Sequence, residues 1–354
     1  MNIGKLKSFL QDKDYAAFIV SEENRRYFTA FPSSDGFLIV TAEKAVFLTD
    51  SRYIEAAQQQ CVDCDEVLLF KSIKESIVPV VEELGIKKLA VESGRITLRQ
   101  LAMYSSGINV EFETDNALEN AIEDIRLIKS REEIDRVVKA QRIAEKAFEH
   151  ILGFIKVGMT EREIGLELDY FMLRNGADAL SFETIAVSGE KTSMPHGVPG
   201  MRKIQNGDFI TMDYGAVVEG YHSDMTRTVA VGSVSDEQKK VYDTVLKAQT
   251  EAFAVMRPGV PCADVDKAAR DVITQAGYGD YFGHGLGHGV GIEIHEEPRL
   301  SPFGKKVLES GILVTNEPGI YLPGKFGVRI EDMAFITDDG YENLTVCPKE
   351  LIVI

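Results

Sequence analysis

Four acidic residues in the second half of the sequence interrupt segments that are otherwise typical of apolar strands. Asp213 lies in FITMDYGAVV and Asp224 in HSDMTRT, and a turn around Glu219–Gly220 would fold these segments into a hairpin. The two carboxylates could then meet across a sheet, where they repel one another unless protons or cations compensate them. Glu317 in ILVTNEPGIY and Glu331 in GVRIEDMAFIT repeat the pattern. For any single acid, the alternative interpretation is an exposed position on a polar strand face.

A glycine-rich segment, GHGLGHGVGIEIHEE, supplies three of the chain's six histidines. Glycine occupies every second position over 283–291, which is unfavourable in a helix or a strand and indicates close approach of the backbone to another group. In an extended chain, His284 and His288 project to the same side. The HExxH motif of zinc proteases depends on helical spacing instead. Histidines that are exposed or packed in a core are the alternative interpretation.

Two aspartates, two glutamates and one histidine would provide hard oxygen ligands together with one imidazole nitrogen. This set suits two divalent ions, such as manganese, cobalt or zinc, better than a single structural zinc ion. Two divalent cations would also balance the charge of four carboxylates, which repel one another when no cation is bound. The residue types therefore predict a dinuclear metal centre.

The elements that must position these residues fall into two regions. In the first region, short runs rich in Val, Ile and Phe alternate with helical patterns, which is typical of an α/β domain with a mainly parallel or mixed sheet. The predicted strands are 15–21, 36–41, 44–50 and 87–93, and the predicted helices are 51–60, 73–85 and 97–106. A polar stretch at 111–126 follows. We predict a first domain over residues 1–122.

The second region, residues 123–354, is predicted to be an α+β domain. Ser or Thr followed three residues later by Glu or Gln forms a capping box, which marks the start of a helix. The pairs are Ser130 with Glu133, Thr160 with Glu163, and Ser235 with Gln238. A fourth helix is expected over 262–276, where Gly277 ends it. The strand-like runs between and after these helices predict paired helices over a largely antiparallel sheet.

The composition argues against several classes of protein. The 354 residues include 56 acidic and 39 basic side chains, and the net charge of −17 argues against nucleic acid or an anionic membrane as the main partner. No apolar run is long enough to span a membrane, and the first residues lack the apolar core of a signal peptide, so we expect a cytoplasmic protein. Four cysteines do not form a disulfide framework in a chain of this length. For Cys61 and Cys64, a chance CxxC is favoured over a redox pair or a zinc site.

Taken together, the acid and histidine motifs resemble those of the pita-bread metallopeptidases, in the branch of proline dipeptidase (prolidase) and aminopeptidase P. The matching strings are MDYGAVVEGYHSDMTRT, GHGLGHGVGIEIHE, TNEPGIYLPG and GVRIED, and they occur in the family's order. TDSRYIEAA also resembles the N-terminal domain of that branch, so the resemblance covers nearly the whole chain. It implies an α/β creatinase-like N-terminal domain, an α+β pita-bread catalytic domain and a homodimer.

The resemblance also implies a ligand set and a choice of metal. The implied ligands are Asp213, Asp224, His288, Glu317 and Glu331. Asp224 and Glu331 would bridge two ions, for which manganese is expected and cobalt or zinc are alternatives. Asn316 departs from the apolar residue that many relatives carry, and it adjoins Glu317, so it could alter the surroundings of that ligand while leaving the set complete.

Further residues correspond to substrate-facing positions of the family. His196 and His295 match a histidine pair, while His284 lines the glycine-rich wall and Arg329 lies two positions before a ligand. The resemblance implies that bound metal ions would lower the pKa of water, and that the resulting hydroxide would attack the carbonyl carbon of an Xaa–Pro bond. Glu317 would transfer the proton to the proline nitrogen, and His295 with His196 would stabilise the oxyanion. This bond needs a dedicated enzyme, because its nitrogen carries no hydrogen and the ring fixes the backbone.

Arg299 resembles the prolidase arginine that binds the carboxylate of the substrate. In a dipeptide that carboxylate lies one residue beyond the scissile bond, where a guanidinium can bind it through two charge-assisted hydrogen bonds. A solvated arginine beside Glu296 and Glu297 is the alternative interpretation. We therefore expect an Xaa-Pro dipeptidase that acts on short proline-containing peptides.

Other functions remain open at this stage. An Xaa-Pro aminopeptidase (aminopeptidase P) would use the same residues on longer peptides. Creatinase-like relatives lack the metal ligands that are present here, and methionine aminopeptidases lack the N-terminal domain. A non-catalytic metal-binding or scaffold protein of this fold would not need His196 and His295 beside a complete ligand set.

Overall fold

The computed structural model describes residues 2–61 and 63–354. These residues form two compact units, Met1–Arg126 and Leu127–Ile354. We refer to them as the N-terminal unit and the C-terminal unit.

The N-terminal unit is built on a mixed sheet flanked by helices. Its strands are β1 (Ala16–Ile19), β2 (Phe37–Val40), β3 (Ala45–Thr49), β4 (Glu66–Leu69), β5 (Lys88–Val91) and β6 (Glu111–Glu113). Its helices are α1 (Asn2–Leu10), α2 (Glu22–Thr29), α3 (Ile54–Gln60), α4 (Val78–Glu83, after a π-helical turn at Ile73–Ile77), α5 (Leu98–Gly107) and α6 (Ala117–Leu127). The strand order is β4-β3-β2-β1-β5-β6, with parallel and antiparallel pairs. The predicted mixed sheet is confirmed.

The polar stretch at 111–126 is more ordered than its composition indicates. It forms β6 and most of α6, although the sequence predicted no element there. The reason is the spacing of its few apolar residues. Leu118 and Ile122, one helical turn apart, are each 1% exposed and bury the inner face of α6.

The C-terminal unit is an α+β structure, as predicted. Its strands are β7 (Ala179–Leu180), β8 (Ile185–Ser188), β9 (Phe209–Tyr214), β10 (Ala216–Val218), β11 (Tyr221–His222), β12 (Met225–Ala230), β13 (Gly287–Gly289), β14 (Glu296–Leu300), β15 (Leu313–Asn316), β16 (Gly319–Leu322), β17 (Phe326–Arg329), β18 (Asp332–Ile336) and β19 (Tyr341–Asn343). Its helices are α7 (Arg131–Phe154), α8 (Glu161–Arg174), α9 (Asp236–Val255) and α10 (Cys262–Gln275), with 3₁₀ turns at Gly189–Ser193 and Gly279–Tyr281. The pairs between these strands are antiparallel.

The four long helices begin and end close to the predicted residues. The capping boxes at Ser130, Thr160 and Ser235 are all formed. In each, the Ser or Thr hydroxyl accepts a hydrogen bond from the backbone N–H three residues later, and the Glu or Gln side chain at that position accepts one from the backbone N–H of the Ser or Thr. Helices α9 and α10 share a core with the strands, through buried residues such as Ala248, Ala269 and Val314. This core holds the sheet that carries the predicted ligands.

The predicted hairpin between the two aspartates is confirmed. Strand β9 pairs with β12, which places Asp213 opposite Thr226, and the chain reverses at Glu219–Gly220. Both turn residues have positive φ, 51° and 87°, as a two-residue turn with the twist of the flanking strands requires. A Cβ on Gly215 would lie 1.9 Å from the oxygen of Ser223, so glycine permits the close crossing immediately after Asp213.

The two glutamates lie at breaks between strands rather than within the strands that the sequence predicted. Glu317 separates β15 from β16, and Glu331 separates β17 from β18. At each break the backbone N–H bonds to a segment that carries another ligand. Glu317 donates to the oxygen of Leu286 at 2.8 Å, and Glu331 donates to that of Thr226 at 3.1 Å. The breaks therefore bring separate parts of the chain to one place.

The cysteines form no disulfide among the described residues, and Cys61 and Cys64 are both free thiols. Burial raises the pKa of Cys61 to about 11 and that of Cys64 to about 12, so both remain protonated at neutral pH. Across the described ranges, no helix has the length and apolar character that a membrane span requires.

Candidate active site

A cavity of about 1050 Å³ in the C-terminal unit brings the predicted site residues together. The ten that line it are His196, Asp213, Asp224, His284, His288, His295, Arg299, Glu317, Arg329 and Glu331. They come from strands β9, β13, β14 and β17 and from the loops and breaks between strands. Residues that are far apart in the sequence thus converge on one concave surface, which is the usual setting of an active site.

Three of the predicted ligands form a tight group at the base of this cavity. Ligand atoms of Asp224, His288 and Glu331 all lie within 4.8 Å of one another, and the three residues are buried. His288 Nε2 lies 3.6 Å from the Asp224 carboxylate and 3.5 Å from that of Glu317. A Cβ on Gly287 would come within 2.2 Å of a backbone oxygen of β15, so glycine before His288 allows this approach.

Asp213 also lines the cavity, and only one of its two carboxylate oxygens has a hydrogen-bond partner among the described residues. Its Oδ2 accepts a hydrogen bond of 2.6 Å from Arg329, whereas its buried Oδ1 has no hydrogen-bond partner. A buried carboxylate oxygen without a donor is unfavourable, and a bound cation would remove that penalty.

The electrostatics of the group favour cation binding. Burial and the neighbouring carboxylates raise the pKa values of Asp224 and Glu331 well above their ordinary range. Burial likewise raises the pKa of Glu317 to about 8, and it lowers the pKa of His288 to about 3, so this imidazole is neutral at pH 7. Buried acids that resist ionisation, together with a neutral imidazole, form a donor set that fits divalent cations.

The sequence also matches two family models that agree with this geometry. The model of metallopeptidase family M24 matches residues 135–338, and that of the creatinase/prolidase N-terminal domain matches residues 3–128. The chain belongs to metallopeptidase family M24. An α/β creatinase-like N-terminal domain followed by an α+β pita-bread catalytic domain, as expected from the motifs, is thereby confirmed. Membership of a metallopeptidase family also implies divalent metal ions.

Individual members of family M24 are similar to this chain over almost their whole length. The Xaa-Pro dipeptidase of Pyrococcus furiosus is 38% identical over 352 residues, which cover 98% of each chain. The solved structure of Xaa-Pro dipeptidase from Bacillus anthracis has a TM-score of 0.95 and 42% identity, and the match covers 100% of this chain and 99% of that one. The structure of X-Pro aminopeptidase from Thermotoga maritima has a TM-score of 0.89 and 35% identity, with 96% and 97% covered.

In this M24 chain, Arg329 lies behind the ligands and is 4% exposed. Its nitrogens donate to Asp213, to the Thr226 hydroxyl at 3.0 Å, to the Tyr321 hydroxyl at 3.0 Å and to the backbone oxygen of Pro195 at 3.2 Å. Each guanidinium nitrogen is thus already engaged within the protein. The contact with substrate that the sequence indicated for Arg329 stays a prediction.

His284 is also held by protein groups on both ring nitrogens. Nε2 lies 2.8 Å from the Tyr321 hydroxyl, and Nδ1 lies 2.7 Å from the backbone oxygen of Gly285. Burial lowers its pKa to about 4, so the ring is neutral at pH 7. Its predicted substrate contact remains a prediction as well.

The other substrate-facing candidates of the M24 chain have exposed side chains on the cavity wall. The ring of His295 packs edge-on against that of His288, with centroids 4.4 Å apart. Arg299 in β14 lies directly opposite His288 in β13, so the guanidinium is carried on the strand beside a ligand. His196 lines the cavity from the loop after β8. Partial desolvation by the cavity wall, together with the charge of Arg299, lowers the pKa of His295, which keeps it neutral at pH 7 with one N–H to donate.

Two residues that hold members of the site in place, Thr226 and Tyr321, were not among those selected from the sequence. The Thr226 hydroxyl donates to Glu331 at 2.6 Å and accepts from Arg329, and the Tyr321 hydroxyl links His284 to Arg329. Thr226 follows Asp224 by two positions in an extended segment, so its side chain points to the same side, and this spacing could have revealed it. Tyr321 carries no comparable signal, since it becomes a neighbour only through the pairing of β16 with β17.

Proposed function

We propose that this chain is a dinuclear metal-dependent Xaa-Pro dipeptidase. The observation that carries the proposal is the position of Arg299, opposite the ligand His288 and open to the cavity. Among the described residues, no carboxylate lies within 4.0 Å of its guanidinium, although Glu296 and Glu297 are close in sequence. This cation is therefore available to an anionic ligand that lies next to the metal centre.

A dipeptide substrate supplies such an anion at the right distance. Its free carboxylate lies one residue past the scissile bond, so binding that bond at the ligand cluster places the carboxylate close to Arg299. Arginine binds a carboxylate through two parallel hydrogen bonds, which fix orientation as well as charge. A longer peptide has a neutral amide at that position and gains less from the arginine.

Metal binding, proton transfer and oxyanion stabilisation are assigned to different residues of the cavity. Asp213, Asp224, His288, Glu317 and Glu331 are the proposed ligands of two divalent ions. When bound, such ions polarise the scissile carbonyl and lower the pKa of water. Glu317 is the proposed carrier of the proton to the proline nitrogen. His295 and His196 are the proposed donors to the developing oxyanion, and His284 and Arg329 are proposed to complete the substrate-facing wall.

Manganese is the proposed native metal, because a set dominated by carboxylate oxygens with one imidazole suits a harder ion than a thiolate site would. Cobalt and zinc are the alternatives. We also propose a homodimer, supported by exposed apolar side chains such as Leu166, Tyr170 and Leu173 on one face of α8. A cytoplasmic location is proposed too, since the free thiols of the described residues suit a reducing compartment.

The proposal is tested with manganese-loaded enzyme on an Xaa–Pro dipeptide and on an Xaa–Pro tripeptide. We expect preference for the dipeptide, and Arg299→Ala should raise KM for the dipeptide by roughly tenfold to a hundredfold, the range expected for a lost charge-assisted pair. Tripeptide hydrolysis should change much less. Lys305→Ala is the matched control, because it removes an exposed cation six residues away that does not line the cavity.

Xaa-Pro aminopeptidase activity is the second candidate. The cavity of about 1050 Å³ lies at the upper end of the usual range for ligand sites, and the similar Thermotoga maritima structure is an X-Pro aminopeptidase. A preference of the unmodified enzyme for the tripeptide would decide for this candidate. Equal effects of Arg299→Ala on both substrates would remove the assigned role of that residue.

A further inference from the structure

Glu161, the first residue of α8, is a buried acid outside the ligand cluster. Its exposed fraction is 0%, and it does not line the cavity. The acid lies beneath the loop that runs from Gly189 to Gly200, which we call the His196 loop. This loop follows β8 and carries His196 on the cavity wall.

The Glu161 carboxylate binds both ends of the His196 loop. Oε1 accepts hydrogen bonds from the backbone N–H and the hydroxyl of Ser188, at 2.8 Å and 2.9 Å, where the chain enters the loop. Oε2 accepts from Lys191 Nζ at 2.6 Å and from the backbone N–H of Gly200 at 3.0 Å, where the chain leaves it. One carboxylate thus joins two points of the chain that are twelve residues apart.

The middle of the loop is fastened separately. Lys191 Nζ also donates to the backbone oxygen of Val198 at 2.9 Å, and Arg329 donates to that of Pro195 at 3.2 Å. The hydroxyl of Thr192 accepts from the backbone N–H of Gly327 in β17 at 2.7 Å. The loop therefore rests on the wall that contains Arg329, while the Glu161 carboxylate joins its two ends. Each end has one further contact, from the Arg162 N–H to the oxygen of Gly200 at 3.0 Å and from Arg202 to the Ser188 hydroxyl at 2.7 Å.

We propose that Glu161 is a positioning residue, which fixes the His196 loop so that His196 meets the substrate in the cavity. The inference deepens the proposed function and rests on it, because His196 is assigned there as a donor to the oxyanion. Glu161 contacts neither a proposed ligand nor the substrate, so it acts through the loop alone.

The chemistry of the side chain explains why a glutamate is needed. A carboxylate offers two acceptor oxygens, and here four donors converge on them. In Glu161→Gln one oxygen becomes an NH₂ group, which opposes donors such as Lys191 Nζ instead of accepting from them. The variant keeps the size of the side chain but releases one end of the loop.

The test is a double-mutant cycle that combines Glu161→Gln with His196→Ala. We expect Glu161→Gln to lower kcat for an Xaa–Pro dipeptide by roughly tenfold or more, the size typical of a residue that orients a functional group, with metal content unchanged. In the His196→Ala background, Glu161→Gln should lower kcat by less than about twofold, because the residue to be positioned is absent. An equal loss in both backgrounds would overturn the proposal.

Hydrogen exchange of metal-free protein provides a second readout, independent of activity. In Glu161→Gln, the amide that faces the new NH₂ group, either that of Ser188 or that of Gly200, should exchange faster than in the unmodified protein, and the amides of β9 should not. Glu163→Gln is the matched control, because this neighbouring acid of α8 caps its own helix at Thr160 and binds no residue of the loop. Unchanged exchange in Glu161→Gln would refute the fixing of the loop.

Lys191→Met covers the case in which Glu161→Gln does not fold. Lys191 is partly exposed, and its loss removes one bond to Glu161 and one to Val198. The same faster exchange and the same dependence on His196 are expected, with a smaller change in kcat. If no variant or unmodified enzyme cleaved an Xaa–Pro bond, the proposed function would fail, and the exchange data would still decide whether Glu161 fixes the loop.

Discussion

Glu331 and Asp332 are adjacent in the chain and equally buried, at 1% and 0% exposure, yet their surroundings are opposite. Asp332 accepts hydrogen bonds from Arg227 at 2.7 Å, Asn343 at 3.0 Å and Lys349 at 3.0 Å. Glu331 receives one bond, from Thr226, among the hydrogen bonds of the described residues. Burial raises its pKa, and the charges of Asp224, Glu317 and Asp213 add to that effect, while the nearby Arg329 opposes it only in part.

Successive residues of an extended chain point to opposite faces, so one step along the backbone separates a structural acid from a functional one. The charge of Asp332 is compensated within the protein, and this acid ties β12, β18 and β19 together with the C-terminal segment. The charge of Glu331 is left for something that the chain does not provide. A deficit of donors around a buried acid, rather than burial itself, therefore indicates the metal site.

Metal removal should have the largest effect on activity, because the protein itself does not compensate the charge of Glu331 and the other acids of the cluster. Extensive chelation should abolish Xaa–Pro hydrolysis, and added manganese or cobalt should restore it. Activity and metal content are measured on the same samples. Full turnover in protein that is verified to be metal-free would contradict the dinuclear site.

Exchanging each acid for its amide separates the two roles. Glu331→Gln should lower kcat by more than about a hundredfold, because Glu331 is itself a proposed ligand and loss of even an outer partner of a ligand costs up to about that much. Asp332→Asn should instead lower the free energy of unfolding by about 3–5 kcal/mol, because the charge of the buried Arg227 loses its carboxylate counter-charge. Steady-state kinetics and denaturant unfolding of both variants measure the difference.

Each of these two variants serves as the control of the other. Glu331→Gln should fold with at least the stability of the unmodified metal-free protein, since it removes a repelling charge from the cluster. If Asp332→Asn were as inactive as Glu331→Gln yet fully stable, the division between the two faces would be wrong.

Much of the fold was predictable because its signals are local. The capping boxes at Ser130, Thr160 and Ser235 and the turn at Glu219–Gly220 depend on residues close in sequence, and all of them form. Elements that escaped prediction, such as α6, have an apolar face that is interspersed with many charged and amide residues. Their stability depends on tertiary packing, which composition does not reveal.

The candidate site was predictable in its members but not in their connections. Residue type and spacing selected the four acids and the histidines of the glycine-rich segment, the family resemblance added His196, and the cavity contains all of these residues. The break that separates Glu331 from β17 and β18 was missed, because the apolar pattern around it continues as in one strand. The hydrogen bond between Glu161 and Gly200 could not be predicted from the sequence either, since the two residues come together only in the folded chain.

The smallest expected effect is a change in the free energy of unfolding with pH, which should differ between metal-free and metal-loaded protein. Burial raises the pKa of Glu317 to about 8, and burial with neighbouring acids raises those of Asp224 and Glu331. An acid with a raised pKa binds more protons in the folded state than in the unfolded state, so stability falls as pH rises toward the folded pKa. Below pH 6.5 the neutral histidines oppose this trend, because His284 and His288 have lowered pKa values.

The informative window therefore lies between pH 6.5 and about 8, where only the acids of the cluster contribute. Across it, the titration of Glu317 alone should cost the metal-free protein about 1–2 kcal/mol of unfolding free energy, since one proton is worth about 1.4 kcal/mol per pH unit. Saturating manganese should flatten the dependence, because the ions hold the acids ionised in the folded state. Glu317→Gln should reduce the slope of the metal-free protein, while Lys305→Ala should leave it unchanged. Denaturant unfolding at several pH values measures the slopes, and equal slopes with and without metal would show that the cluster is compensated by the protein after all.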